Sequence, residues 1–299
     1  MKILLRLATL VCLATSLPAR EAKPHVEVPP LEENSAKILL DDAVDDDAIR
    51  DCLTRAGEKL LKSSDAVAMK ALIAQLNKRE CSVKLCAALK EKLGSVDLMA
   101  RDRAAVAVVA TPYKCKDCEK THIGTASGFF ISETGVLVTC YHVVDAPEDE
   151  TMLVMAGDGR IARVTEVLAA DRADDIAILQ VEGSGFTALP LVADAPTGAP
   201  VRVFSHPDER FYSLTEGHIS RYSIFAEEGK RKTRVMTITA DFAKGSSGGP
   251  VFDESGNVVG MVASTESIYY EETDAKQADL QMVFKHCTPA AAILRLIKK

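Results

Sequence analysis

The chain has 299 residues, 47% hydrophobic and 26% charged, with 36 Lys and Arg against 43 Asp and Glu and a formal net charge of −7. This much apolar material builds the core of one large domain, or of a domain with a smaller appendage. It excludes a chain disordered throughout and a collagen-like repeat, and the acidic balance without a basic stripe excludes the simplest nucleic-acid-binding reading.

Residues 1–19 read as a secretory signal: Lys2 and Arg6 precede an apolar run from Leu7 to Leu17, which ends at Pro18 and Ala19. The run is too short to span a bilayer, and no later segment is longer and uncharged. An exported protein, periplasmic or secreted, with no membrane span is expected. Pro24, Pro29 and Pro30 among charges mark residues 20–35 as an exposed linker. Over residues 36–100 apolar side chains recur at helical spacing. Ile49, Cys52, Leu53, Ala56 and Leu60 form one set, Met69, Leu72, Ile73 and Leu76 a second, and Leu85, Cys86, Leu89 and Leu93 a third. A small α-helical N-terminal region follows from this, with Ser63 or Ser64 capping the second helix and Gly94 ending the third. The acidic run Asp41 to Asp47 suits a solvated face or a helix N-terminus. Three roles stay open for these helices: driving a homo-oligomer, occluding a cleft, or packing on the rest of the chain.

Seven cysteines lie beyond the leader: Cys52, Cys81, Cys86, Cys115, Cys118, Cys140 and Cys287. Export permits disulfides, but an odd number leaves at least one thiol outside any intrachain pair. A bridge from Cys52 to Cys81 or Cys86 and buried free thiols are both open. Cys115 and Cys118 form CKDC, with His122 close behind. As a metal site this offers three ligands without the second pair that zinc usually takes, and as a redox site it lacks a βαβ setting. A disulfide-clipped hairpin turn is the reading, with no metal and no cofactor expected.

After Arg103 the period changes from helix to strand. Short β-branched runs appear between turn signals: AVAVVA, SGFFI, GVLVT, AILQV, VRVF, RVMTIT, PVFD and NVVGMVA. Such strands argue an all-β barrel or sandwich. Residues 182–200, rich in Gly and Pro, join two β halves, and residues 289–299 read as a closing helix.

Three segments carry chemistry. LVTCYHVV places His142 just after a strand, DRADDIAIL places Asp175 at the start of another, and AKGSSGGPVFD places Ser247 in a glycine-rich turn before a third. A serine hydroxyl becomes a nucleophile when a base takes its proton and a carboxylate fixes that base's tautomer. Glycines around the serine let backbone N–H groups converge on a developing oxyanion. His, Asp, Ser is also the chain order of chymotrypsin, unlike that of subtilisin or the α/β-hydrolases.

On these segments the chain resembles the trypsin-like serine proteases, and is most similar to the bacterial HtrA/Deg branch. The resemblance runs over about two thirds of the chain, residues 104–298. It takes in TASGFFIS, DRADDIAIL, VRVFSHP with TEGHIS, GSSGGP, and the closing VFKHCTPAAAILRLI. It implies two antiparallel six-stranded β-barrels, over about 103–185 and 190–285, preceded by the helical region. It implies Ser247 as nucleophile, His142 as general acid–base and Asp175 as orienter. Gly245 and Ser247 would supply the oxyanion hole, and Ala263, Ser264 and Thr265 a cleft edge that pairs with the substrate backbone. Ser246 competes with Ser247, and Asp171 and Asp174 with Asp175. His206, His218 and His122 are expected at the surface or in turns, and His286 suggests no role.

The departures are informative. Ser246 stands where animal trypsins carry the Asp that pairs with a newly cut N-terminus, so that zymogen route is not expected. No PDZ domain is expected after the barrels. Asp241 lies six residues before Ser247, the offset of a basic-selecting carboxylate in trypsin, whereas HtrA-type enzymes carry a small apolar residue there and prefer aliphatic side chains. The expected function is an exported serine endopeptidase acting on proteins or peptides. The alternative is a catalytically silent protease fold used as a binding or chaperone-like module.

Overall fold

The computed structural model describes residues 43–115, 118, 120–193, 195–226, 231–273 and 276–298; the expected signal and linker, 1–35, lie outside them. Asp45 caps helix α1 (Asp46–Leu61), its Oδ1 accepting from the Ala48 N–H at 2.9 Å, and Asp46 and Asp47 occupy the first turn, where the helix dipole favours negative charge. Ser63 does not cap the next helix. Its hydroxyl donates to the Leu60 carbonyl and so finishes α1. Helix α2 (Met69–Ile73) starts at Ala68 without a side-chain cap.

The third expected helix is absent from residues 83–93, which run irregularly over the surface. The Leu89 N–H donates to Asn257 Oδ1 at 2.7 Å and the Leu89 carbonyl accepts from Asn257 Nδ2 at 3.0 Å, so a distant side chain takes the groups a helix would pair internally. Gly94 accordingly begins helix α3 (Ser95–Asp102) instead of ending one.

Strands β1 (Val106–Lys114), β2 (Thr121–Ser132) and β3 (Val136–Thr139) lead into the short helix α4 (Tyr141–Val144). With β4 (Leu153–Ala156), β5 (Ile161–Asp171) and β6 (Ile176–Val181) they close an antiparallel barrel in the order β1-β2-β3-β6-β5-β4. The second set is β7 (Pro200–Ser205), β8 (Ser213–Phe225), β9 (Thr233–Ile238), β10 (Pro250–Phe252), β11 (Val258–Thr273) and β12 (Lys276–Pro289). It closes in the order β9-β12-β11-β10-β7-β8. The two six-stranded barrels expected from the resemblance are therefore present.

The closing helix is shorter than expected. Helix α5 covers only Ala290–Leu294, after which Ile297 and Lys298 pair in parallel with Cys81 and Ser82. The Cys81 N–H donates to the Leu296 carbonyl at 2.8 Å.

The N-terminal helices pack on the barrels. Ile49, Leu53 and Leu98 share one apolar cluster with Phe129 of the first barrel and Phe204 and Phe252 of the second. Met69, Leu72 and Leu76 join the first barrel's other cluster, beside Phe130 and Leu137. No helix among the described residues is long and apolar enough to cross a membrane.

Candidate active site

The site forms where the two barrels meet. β3 ends at Thr139, the buried Cys140 follows, and α4 turns His142 outward. Asp175, immediately before β6, holds this histidine at two points. Its Oδ1 accepts from the His142 backbone N–H at 3.0 Å, and its Oδ2 lies 2.8 Å from His142 Nδ1. That contact leaves Nε2 as the ring atom open to a proton from elsewhere. Asp175 has a φ of +53°, the left-handed region that non-glycine residues seldom enter and that Asp tolerates better than most. The turn beneath it is tied by Asp171 Oδ1, which accepts from the Ala173 and Asp174 N–H groups.

Hydrogen bonding to Asp175 raises the His142 pKa above its ordinary 6.5; burial opposes this and the carboxylate charge adds to it. The ring remains open to solvent, with 53% of its side-chain surface exposed.

Ser247 lies in the turn between β9 and β10. Gly245 and Gly248 take φ of +88° and +90°, and a Cβ on Gly248 would fall 2.1 Å from the Ser127 carbonyl oxygen and 2.5 Å from Thr139 Oγ1. Only glycine brings the turn this close to the first barrel. The Gly248 N–H donates to the Val262 carbonyl, which also accepts from Cys140 Sγ at 3.2 Å. This shared carbonyl sets the serine turn beside the segment bearing His142. The N–H groups of Gly245 and Ser247 have no hydrogen-bond acceptor among the described residues. Ser247 Oγ lies 3.5 Å from the Ala263 carbonyl, and no hydrogen bond joins it to His142.

The competing residues point elsewhere. Ser246 is fully buried and its Oγ accepts from Ser205 at 3.0 Å. Asp174 turns away from His142: its buried carboxylate meets Arg231 at 2.8 Å and Arg295 at 2.5 Å, tying the first barrel to the second barrel and to the C-terminal segment. Asp171 joins Arg231 at 2.8 Å. Asp241 is no pocket base; its side chain is 86% exposed and lies 3.5 Å from Lys285 Nζ. Ala263, Ser264 and Thr265 lie on β11 just past Met261, where pairing with β10 ends, so one edge of that strand has no strand partner among the described residues. A cavity of about 380 Å³ borders Asp175, lined by Phe225, Val235, Ala263, Ser264 and His286 among others.

Several residues that matter here were not singled out in the sequence. Ser127, inside TASGFFIS, donates its hydroxyl to the Gly245 carbonyl at 2.9 Å and accepts from the His206 N–H at 3.1 Å. His206, expected in a surface turn, is fully buried. Its Nδ1 accepts from the Tyr212 N–H at 3.0 Å, and burial lowers its pKa to about 3. His286 is buried as well, between Thr237 and Glu266, whereas His218 and His122 are exposed as expected.

Among the described residues, two groups bring potential metal ligands within 4.8 Å of one another: Cys140, His142 and Asp175, and Cys115, Cys118 and His122. In the first, the mutual bond of His142 and Asp175 already uses the ligand atoms, and burial pushes the Cys140 thiol up, away from the thiolate a metal would need.

Residues 126–261 match the family described as a trypsin-like peptidase domain. A probable periplasmic serine endoprotease, DegP-like, from Halomonas elongata is 34% identical over 139 residues, 45% of this chain and 28% of that protein. The chloroplastic protease Do-like 5 of Arabidopsis thaliana is 28% identical over 156 residues, 48% of each chain. A serine protease of Mycobacterium tuberculosis is 34% identical over 152 residues, 48% of this chain and 36% of that one. The chain thus spans between about a quarter and a half of these relatives. Paired barrels, a glycine-held serine turn, a carboxylate-clasped histidine and these matches together mark residues 126–261 as a trypsin-like peptidase domain, similar to that of HtrA/DegP-like serine proteases.

Proposed function

We propose that this chain is an exported serine endopeptidase that cleaves protein substrates through Ser247, His142 and Asp175. The observation that carries the reading is the two-point hold of Asp175 on His142, which fixes the ring with Nε2 directed away from the carboxylate. In the reaction His142 Nε2 takes the Ser247 hydroxyl proton as Oγ attacks the scissile carbonyl carbon, and Asp175 balances the imidazolium. The resulting oxyanion accepts from the Gly245 and Ser247 N–H groups. Collapse of the tetrahedral intermediate passes the proton from His142 to the leaving amine, and water then hydrolyses the acyl-enzyme by the same route. The edge of β11 at Ala263–Thr265 suits an extended polypeptide added as a further strand. With Asp241 exposed and opposed by Lys285, aliphatic side chains fit better than basic ones. Export rests on the leader-like residues 1–19.

One observation favours a second reading, a silent binding module: Ser247 Oγ contacts the Ala263 carbonyl and not His142. Intact mass after treatment with a fluorophosphonate distinguishes the two readings. One adduct on the wild type and none on Ser247→Ala supports the endopeptidase; no adduct on either supports the silent module.

A further inference from the structure

The β1–β2 hairpin carries Cys115 and Cys118 toward its tip. The Cys115 N–H donates to the Lys120 carbonyl at 3.0 Å and closes the turn. Tyr113 pairs with His122 across the two strands, and their rings stack with centroids 5.7 Å apart. This frame sets Cys115 Sγ, Cys118 Sγ and a His122 ring nitrogen within 4.8 Å of one another, with Cys118 Sγ 3.1 Å from His122 Nε2.

We propose that this hairpin tip binds a zinc ion through Cys115, Cys118 and His122, with a water in the fourth position. Zinc prefers tetrahedral sulfur and nitrogen ligands, at about 2.3 Å for thiolate and 2.0–2.1 Å for imidazole. Those lengths put adjacent ligand atoms about 3.6 Å apart for sulfur and nitrogen and about 3.8 Å for two sulfurs. Cys118 Sγ and His122 Nε2, 3.1 Å apart, need to open by about half an ångström to reach that spacing, and Cys115 Sγ lies within 4.8 Å of the other two ligand atoms. The two cysteines lose their protons to solvent on binding, and their two negative charges balance the ion's two positive ones. A disulfide would need only the two cysteines. The histidine, held by its cross-strand partner and turned onto Cys118, supplies the third ligand that distinguishes a metal site from a clip.

From His122 to Ser127 the strand runs about 17 Å at 3.4 Å per residue, so the ion lies well away from the triad. It takes no part in peptide-bond hydrolysis. It fixes the end of the hairpin whose base, at Ser127, bonds to the serine turn.

The test uses cobalt(II) as the probe, on reduced full-length protein in the Ser247→Ala background to prevent self-cleavage. One equivalent is expected to produce visible tetrahedral d–d bands with thiolate-to-cobalt charge transfer in the near ultraviolet, both erased by one equivalent of zinc. Cys118→Ser and His122→Gln each lower the affinity by about tenfold or more, as the loss of a direct ligand exceeds that of an outer-shell partner. The double variant Cys115→Ser/Cys118→Ser abolishes the bands while its near-ultraviolet circular dichroism stays native. A featureless cobalt spectrum in the reduced protein, or a spectrum unchanged in the double variant, overturns the proposal. Because the readout is spectroscopic, it stands or falls independently of proteolysis.

Discussion

The backbone N–H of Ser127, in the first barrel, donates to the carbonyl of Ser247, in the second, at 2.9 Å. The Ser127 hydroxyl then reaches the Gly245 carbonyl, so one residue braces both positions whose N–H groups would hold the oxyanion.

Ser127→Ala keeps the backbone bond and removes the hydroxyl. The Gly245 carbonyl and the His206 N–H lose a partner in a buried setting, a cost of about 1–3 kcal/mol. We expect kcat to fall on the order of 10–100-fold through a displaced oxyanion site, with KM little changed. Steady-state kinetics with a peptide substrate check this, and a KM effect without a kcat effect would contradict it.

Asp175 favours the protonated form of His142, so the imidazolium persists to higher pH and cannot accept the Ser247 proton there. The acid limb of kcat/KM is therefore expected to have its midpoint above 6.5. Asp175→Asn removes the charge, lowers that midpoint and reduces kcat by about 10⁴, the size of the effect in the chymotrypsin-type triad. A pH–rate profile of both proteins measures shift and loss together.

His206 carries the opposite sign. Its pKa falls from 6.5 to about 3 on folding, so between those values the unfolded chain binds more protons and stability drops as the pH falls. The slope approaches about 1.4 kcal/mol per pH unit below 6. His142, with its raised pKa, adds stability that is complete below 6.5 and lost only as the pH rises, and so does not mask the effect. Denaturant titrations at pH 7 and pH 5 should show the loss in wild type, and a much flatter dependence in His206→Asn.

Asp174 should matter for folding where its neighbour matters for chemistry. Removing a buried carboxylate from two arginines costs about 3–5 kcal/mol when they cannot reach water. Arg231 and Arg295 are about half exposed, so a loss nearer 1–2 kcal/mol is expected for Asp174→Ala. Thermal denaturation reads that loss, and fluorophosphonate labelling at a temperature where the variant is folded should stay within a few-fold of wild type.

Ser247, His142 and Asp175 stood out in the sequence because each sits in a local pattern of strand end or glycine-rich turn, and the structure brings Asp175 against His142. Strand β5 did not, since bulges at Val164/Glu166 and Val167/Ala169 break the two-residue period that would reveal it. The apolar spacing from Leu85 to Leu93 is real, but Asn257, far along the chain, claims the Leu89 backbone. Asp241 matched by offset alone, and an offset carries no information about burial. His206 failed likewise, because its neighbour Pro207 marks a turn while Ser127 and Tyr212, which bury it, are distant or silent in local pattern.

The pairing of Cys81–Ser82 with Ile297–Lys298 has a consequence for stability. Ile49, Leu53, Met69, Leu72 and Leu98 are almost wholly buried against the barrels. At about 1.5–3 kcal/mol per side chain they contribute on the order of 10 kcal/mol, comparable to the whole net stability of a typical domain. Cutting the segment loose would strip that burial from the barrels it covers. Excision from residue 46 onward is therefore expected to lower stability, so these helices behave as part of the assembled fold.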